Sequence, residues 1–138
     1  MTTIEETTRR LGTVGHRLTG PRRAVLDAVD AARGPFTVEE LCEALPAVGR
    51  ATVFRTMKLL QELEIVCRVP LEDGSVRYQL SHGGHHHHLI CGECGTVSEF
   101  NDPKLDGLIH ENAVSQRFRL ASHSLELYGR CAACLSRS

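Results

Sequence analysis

The chain has 138 residues, with 16 Lys and Arg against 17 Asp and Glu, 8 His, 6 Cys and a formal net charge of −1. That length holds one ordinary domain or two small ones, and a near-neutral balance argues against indiscriminate nucleic-acid binding. The polar stretch from Met1 to Gly20 lacks the apolar segment of a secretion signal and no run is long enough to cross a bilayer, so the expectation is a cytoplasmic protein with no membrane partner.

In that compartment two Cys-x-x-Cys pairs read as metal ligands better than as disulfides. Charge is also unevenly spread. Thr7 to Leu26 carries Arg9, Arg10, Arg17, Arg22 and Arg23 with no acid, and Ala44 to Leu60 carries Arg50, Arg55 and Lys58 with no acid. Each patch could meet phosphate, or could be a solvated helix face.

In chain order, "PRRAVLDAVDAAR" places Val25, Ala28, Val29 and Ala32 at helical spacing behind Pro21, which suits a first turn. "FTVEELCEALP" predicts a short helix, with Thr37 and Glu40 as a capping box and Val38, Leu41, Cys42 and Leu45 as its apolar stripe. Cys42 is thereby a core residue rather than a ligand. "RATVFRTMKLLQELE" predicts a third helix with Val53, Met57 and Leu60 inward and Phe54, Arg55 and Lys58 outward, a face suited to an anionic partner. Alternation around "EDG" predicts a β-hairpin from Ile65 to Leu80. That order of elements is a winged helix-turn-helix, which sets its last helix in the major groove of DNA.

Gly83-Gly84 offers a flexible link. Beyond it the sequence predicts a strand over His86 to Cys91, a strand over Thr96 to Phe100, a helix from Pro103 to about Gln116, and a strand over Arg119 to Tyr128. This second half, of about 55 residues, is near the size at which a lone core is marginal and should need a metal, a partner, or both.

Cys91, Cys94, Cys131 and Cys134 can close a tetrahedron around Zn²⁺, leaving no position open for substrate; a redox disulfide pair or an iron–sulfur cluster is the competing use. The run "HHHH" lies in mid-chain, where an expression tag would not. In a strand His85 and His87 share one side while His86 and His88 share the other, so two metal sites can lie back to back. His123, on the side of Leu125 and Leu127, and Asp106, early in the helix, could join the first pair. Cys67 and His82 are available to the second, although Cys67 could equally be buried filler and His82 an exposed loop residue. A hydrolase built on the histidines would need a general base and a cleft, and neither is evident.

The segments "RLTGPRRAVL", "TVFRTMKLLQELEIV", "HHHHLICGECGTVSEF" and "LELYGRCAAC" together resemble the ferric uptake regulator family over nearly the whole chain. The resemblance implies an α+β fold: a winged-helix DNA-binding domain over 1–82, a hinge near 81–85, and a small α/β metal-binding dimerisation domain with a three-stranded sheet over 83–138. It implies a homodimeric, metal-dependent transcriptional repressor of palindromic, AT-rich double-stranded operators, not an enzyme and without a small organic substrate. It also implies structural zinc on Cys91, Cys94, Cys131 and Cys134, a regulatory hinge site, and a further site on His85, His87, Asp106 and His123. At the position of Asp106 the family more often has glutamate.

Iron- and peroxide-sensing members usually carry a histidine just before the second winged-domain helix, where this chain has "GPFTVEEL". The zinc-sensing branch supplies a thiolate and histidines, so Cys67, His82, His86 and His88 are the expected regulatory Zn²⁺ ligands, with Fe²⁺ or Mn²⁺ as the alternative metal. That branch more often carries its cysteine in the second wing strand, at the position of Leu80. The expected DNA contacts are Arg17, Arg22, Thr52, Phe54, Arg55 and Lys58; Phe54 stands where the family usually has tyrosine.

Overall fold

The structure, a computed structural model, describes residues 3–81 and 85–137. The chain divides into two compact units, Met1–Gly84 and His85–Ser138.

The first unit is built from α1 (Thr3–Thr13), α2 (Gly20–Ala31), α3 (Val38–Ala44), α4 (Arg50–Glu62), β1 (Val66–Pro70) and β2 (Val76–Leu80). Helix α2 starts where Thr19 accepts the Arg22 N–H and Pro21 occupies the first turn. Helix α3 starts on the expected capping box: Thr37 Oγ1 accepts the Glu40 N–H at 3.0 Å, and Glu40 Oε1 accepts the Thr37 N–H at 3.2 Å. The same Oε1 also accepts from Arg77 Nη1 at 2.9 Å, so the cap ties α3 to the wing. Thr37→Ala is expected to cost about 1 kcal/mol, read as a lower urea midpoint at unchanged slope; an unchanged midpoint would show the cap to be incidental.

Val25, Leu26, Val29, Phe36, Leu41, Val53, Met57, Leu60, Ile65 and Val66 form one buried core. Helical spacing on α2 and α4 and the alternation of β1 put these side chains on facing surfaces. Cys42 is half-buried against this core, as its place on the α3 stripe predicts. Strands β1 and β2 pair antiparallel with Val66 opposite Leu80 and Pro70 opposite Val76, and Gly74 takes the positive φ that the turn demands. Phe36 adds a bridge to the edge of β2, exchanging both backbone hydrogen bonds with Tyr78 at 2.8 and 2.7 Å. Helix, turn, helix and hairpin make a winged helix-turn-helix.

Helix α1 is absent from the sequence expectation. Its inward side is Thr7 and Leu11, 0% and 1% exposed, and so short an apolar stripe does not stand out from its polar neighbours. What settles it in the fold is tertiary: Arg10 Nη1 donates to the Leu63 carbonyl at the end of α4 at 2.8 Å.

The second unit holds a three-stranded sheet in the order β4-β3-β5. Strand β3 (His87–Cys91) pairs antiparallel with β4 (Val97–Phe100) and parallel with β5 (Glu126–Gly129). The parallel partner is reached through α5 (Pro103–Ser115), capped by Asp102, whose Oδ1 accepts from the Lys104 and Leu105 N–H groups. A short α6 (Ala132–Ser136) follows, also outside the expectation.

The strand expected over Arg119 to Tyr128 is shorter than its sequence pattern: only Glu126–Gly129 is strand, and His123 stands on irregular chain before it. Leu127 is 45% exposed, so it does not define an interior side for His123. The physical reason is pairing: β5 is strand where β3 meets it, from His88 opposite Glu126 to Cys91 opposite Gly129, and β3 itself begins at His87. Among the described residues of this unit the buried ones are His87, His88, Ile90, Cys91 and Cys134. All but Ile90 are metal-ligand types, so the core of this unit is its chemistry.

Candidate metal centres and nucleic-acid interface

The four thiols come together. Cys91 Sγ lies 3.7 Å from Cys134 Sγ, Cys94 Sγ lies 3.7 Å from Cys131 Sγ, and all four sulfurs lie within 4.8 Å of one another. Sulfurs held at about 2.3 Å from a common tetrahedral ion lie about 3.8 Å apart, whereas a disulfide needs about 2.05 Å. The spacing fits a zinc-sized ion. Two turns create it: Cys91 and Cys94 flank the exit of β3, and Cys131 caps the short helix that carries Cys134.

The sulfurs differ in their surroundings. Backbone N–H groups of Cys94 and Cys131 hold the Cys91 thiol down to about 6, while burial pushes the Cys134 thiol up to about 12. A thiolate at Cys134, 0% exposed, becomes cheap only beside a cation.

The second set is His85, His87, Asp106 and His123, whose ligand atoms also lie within 4.8 Å of one another. His85 Nε2 is 3.1 Å from His123 Nε2, and Asp106 Oδ1 is 2.6 Å from His87 Nε2 and 3.4 Å from the Nε2 atoms of His85 and His123. Nitrogen and oxygen donors at about 2.0 Å from one tetrahedral ion lie about 3.3 Å apart. The extended approach to β3 brings His85 beside His87, with ring centroids 4.7 Å apart, and the first turn of α5 supplies Asp106. The hydrogen bond from His87 is the largest cause holding the Asp106 carboxyl below its ordinary range. His87 is fully buried and its Nδ1 has no hydrogen-bond partner among the described residues, an arrangement that costs about 1–3 kcal/mol and makes a poor structural core.

On the other side of β3, His86 and His88 face each other edge to face at 5.0 Å, and His86 Nε2 is 3.6 Å from Glu99 Oε1. The ligand atoms of His86, His88 and Glu99 lie within 4.8 Å of one another. Burial lowers the His88 pKa, which keeps its imidazole neutral and able to donate a lone pair. Glu99 was not among the expected ligands. Its signal was available only with the register, which puts Glu99 directly across from His88. Cys67 is half-buried on β1 of the first unit, opposite Gln79. His82 lies outside the described residues.

On α4, Phe54, Arg55 and Lys58 are exposed along one face, with Thr52 half-buried beside them. Arg55 Nη2 donates to Thr52 Oγ1 at 3.2 Å. Arg17 is exposed in the loop before α2, and its carbonyl accepts from Arg22 Nη1 at 2.7 Å. Part of each expected basic patch is already engaged. Arg9 and Arg10 pair with Glu6, and Arg50 makes two bonds to Glu39 at 2.8 and 2.7 Å while standing 5.7 Å from the Phe54 ring. Among the described residues, Arg17, Arg22, Arg55 and Lys58 form no ion pair, which leaves their charge for another partner.

No helix of the described chain is long and apolar enough to cross a membrane. Residues 13–128 match the model of the ferric uptake regulator family. The ferric uptake regulation protein of Neisseria meningitidis is 32% identical over 128 residues, covering 89% of each chain. Among solved structures, a zinc uptake regulator complexed with zinc and DNA is 28% identical, covers 99% of this chain and 97% of its own, and superposes with a TM-score of 0.82. The ferric uptake regulator from Francisella tularensis with iron is 28% identical, with coverages of 88% and 96% and a TM-score of 0.66. On the match over residues 13–128 and the likeness of fold over nearly the whole chain, the protein belongs to the ferric uptake regulator family, whose members are metal-responsive transcriptional regulators and not enzymes.

Proposed function

We propose that this chain is a zinc-responsive repressor of zinc-uptake genes, acting in the cytoplasm as a homodimer on palindromic, AT-rich operators. Residues 1–82 bind DNA and residues 83–138 dimerise and bind metal. The observation that carries the reading is that consecutive histidines leading into and through the start of β3 serve two separate donor sets, His85 and His87 in one, His86 and His88 in the other, beside four clustered thiols. A stability device would need only the thiols; the additional open-ended donor sets give the protein something to measure.

Cys91, Cys94, Cys131 and Cys134 hold structural zinc, closing a unit that has Ile90 as its single buried aliphatic residue among those described. His85, His87, Asp106 and His123 form a second centre within that unit. The regulatory centre is His86 and His88 with Glu99, completed from the winged unit by Cys67, with His82 in the connecting segment as a further donor. Bound there, a divalent ion supplies a bond between donors of the two units. The residues then do the rest: the tie sets the two units at one angle, and the dimer presents its α4 helices to successive major grooves about 34 Å apart. Arg55 reads a base edge or phosphate, Phe54 and Thr52 line the approach, Lys58 and Arg22 meet phosphates, and Arg17 approaches the minor groove.

Zinc is favoured by a thiolate with two imidazoles, by the absence of a histidine in "GPFTVEEL", and by the TM-score of 0.82 to the zinc uptake regulator. Glu99 and Asp106 favour the second reading, an Fe²⁺ or Mn²⁺ sensor, because carboxylates suit those harder ions. Titration of operator binding with buffered Zn²⁺, Fe²⁺ and Mn²⁺ in turn separates the two. Zn²⁺ at physiological free levels is expected to restore binding. Restoration by Fe²⁺ or Mn²⁺ alone would overturn the zinc reading.

A further inference from the structure

Four thiolates around one divalent ion leave an excess of negative charge, and here half of it lies out of reach of water: Cys134 is 0% exposed and Cys91 4% exposed. Buried charge of that kind must be met by donors. Cys91 Sγ receives the N–H groups of Cys94 at 3.5 Å and Cys131 at 3.4 Å, and Cys94 Sγ lies 3.0 Å from Thr96 Oγ1. Cys134 is served differently. Its sulfur receives Arg137 Nη2 at 3.0 Å, a full positive charge on the most deeply buried thiol of the four.

Arg137 is the C-cap of α6, a position from which a cationic side chain ordinarily serves the last helical carbonyls or extends into solvent. Here its backbone N–H takes the Cys134 carbonyl and its guanidinium turns back to the Cys134 sulfur. Arg130 works on the same corner. Its Nη2 donates to the Cys134 carbonyl at 3.0 Å while its Nε pairs with Glu93 Oε2 at 2.7 Å, joining the turn that carries Cys134 to the turn that carries Cys91 and Cys94.

We propose that Arg137 is a positioning residue of the four-sulfur centre, fixing the Cys134 sulfur in place by charge-assisted donation, and that Arg130 clamps the two Cys-x-x-Cys turns in register. This rests on the structural-zinc reading above. A guanidinium bonded to a coordinated sulfur lowers the energy of its lone pairs and holds the sulfur at one place, which slows loss of the ligand. Arg137 is exposed, so its replacement leaves the fold of the unit without a packing defect.

The test uses the full-length, zinc-loaded protein with an excess of the chromogenic chelator 4-(2-pyridylazo)resorcinol, following the slow phase of zinc release. Arg137→Gln is expected to release that zinc about tenfold faster, in line with other outer-shell partners. Arg137→Lys, which keeps the charge, is expected to recover part of the loss. In cobalt-substituted protein the sulfur-to-cobalt charge-transfer band of Arg137→Gln is expected at lower energy than in the parent, a change that a merely structural role would not produce. Equal release rates and an unmoved band overturn the role of Arg137 while leaving the four-sulfur centre standing. A parent protein with no sulfur-to-cobalt band at all overturns the centre and this inference together. Should Arg137→Gln fail to retain metal, the lysine variant decides: retention supports the charge argument, and equal failure overturns it.

Discussion

Replacing Cys134 with serine is expected to remove the structural zinc and unfold the second unit while the winged unit stays folded. A hydroxyl is a poor zinc ligand at neutral pH, and the site it would leave is fully buried. Structural zinc contributes an apparent ~10–16 kcal/mol in small zinc domains, as much as the whole ~5–15 kcal/mol stability of an ordinary domain. The second unit has little reserve against that loss, because its buried residues among those described are His87, His88, Cys91 and Cys134 with Ile90 as the one hydrocarbon side chain. Zinc content by mass spectrometry, dimer content by sedimentation and amide dispersion by NMR would report the three consequences. Cys42→Ser is the control, since Cys42 is half-buried against the winged-unit core and lies in none of the three ligand sets. A dimeric Cys134→Ser protein with full zinc would contradict the structural role.

The second large effect is expected from His88→Ala, which removes a donor from the regulatory set and leaves both the thiols and the His85 set intact. Outer-shell partners of metal ligands account for about 10–100-fold in affinity. A direct donor is expected to exceed that, more than ~2.8 kcal/mol in metal binding. The half-point of zinc-dependent operator binding should therefore rise by at least about two decades of free zinc, with slow-released zinc and the dimer unchanged. The reverse pairing makes the test specific: Asp106→Ala disturbs the other side of β3, where Asp106 is within 3.4 Å of three imidazole nitrogens, and should move that half-point far less. If His88→Ala titrates like the parent, the sensor lies elsewhere.

The exposed apolar residues of the second unit bear on both experiments. Leu89, Leu108, Val114, Phe118, Leu127 and Tyr128 are each at least 40% exposed, an apolar surface that suits the second copy proposed above. Loss of zinc and loss of the dimer are thus expected to occur together, since β3 and β5, which carry Leu89, Leu127 and Tyr128, lead directly into the two Cys-x-x-Cys turns.

Local rules were enough for much of the molecule. Capping at Thr37 and Glu40, the inward stripe Val53, Met57 and Leu60, the turn at Gly74 and the two-sided presentation of the histidines all follow from nearest-neighbour geometry, which a single strand or helix already contains. Cys-x-x-Cys spacing likewise announces a chelating turn before any fold is known. What the tertiary structure decided was which elements pair and with what register. Glu99 became a candidate ligand only when β4 aligned it with His88, and Arg137 only when α6 turned it onto Cys134. Arg9, Arg10 and Arg50 left the basic surface because Glu6 and Glu39 met them, helix α1 emerged through packing on a stripe too short to advertise it, and β5 shrank to Glu126–Gly129 because β3 pairs with it only there. Such outcomes depend on groups distant in sequence or on different elements, and a one-dimensional pattern holds no distances between them.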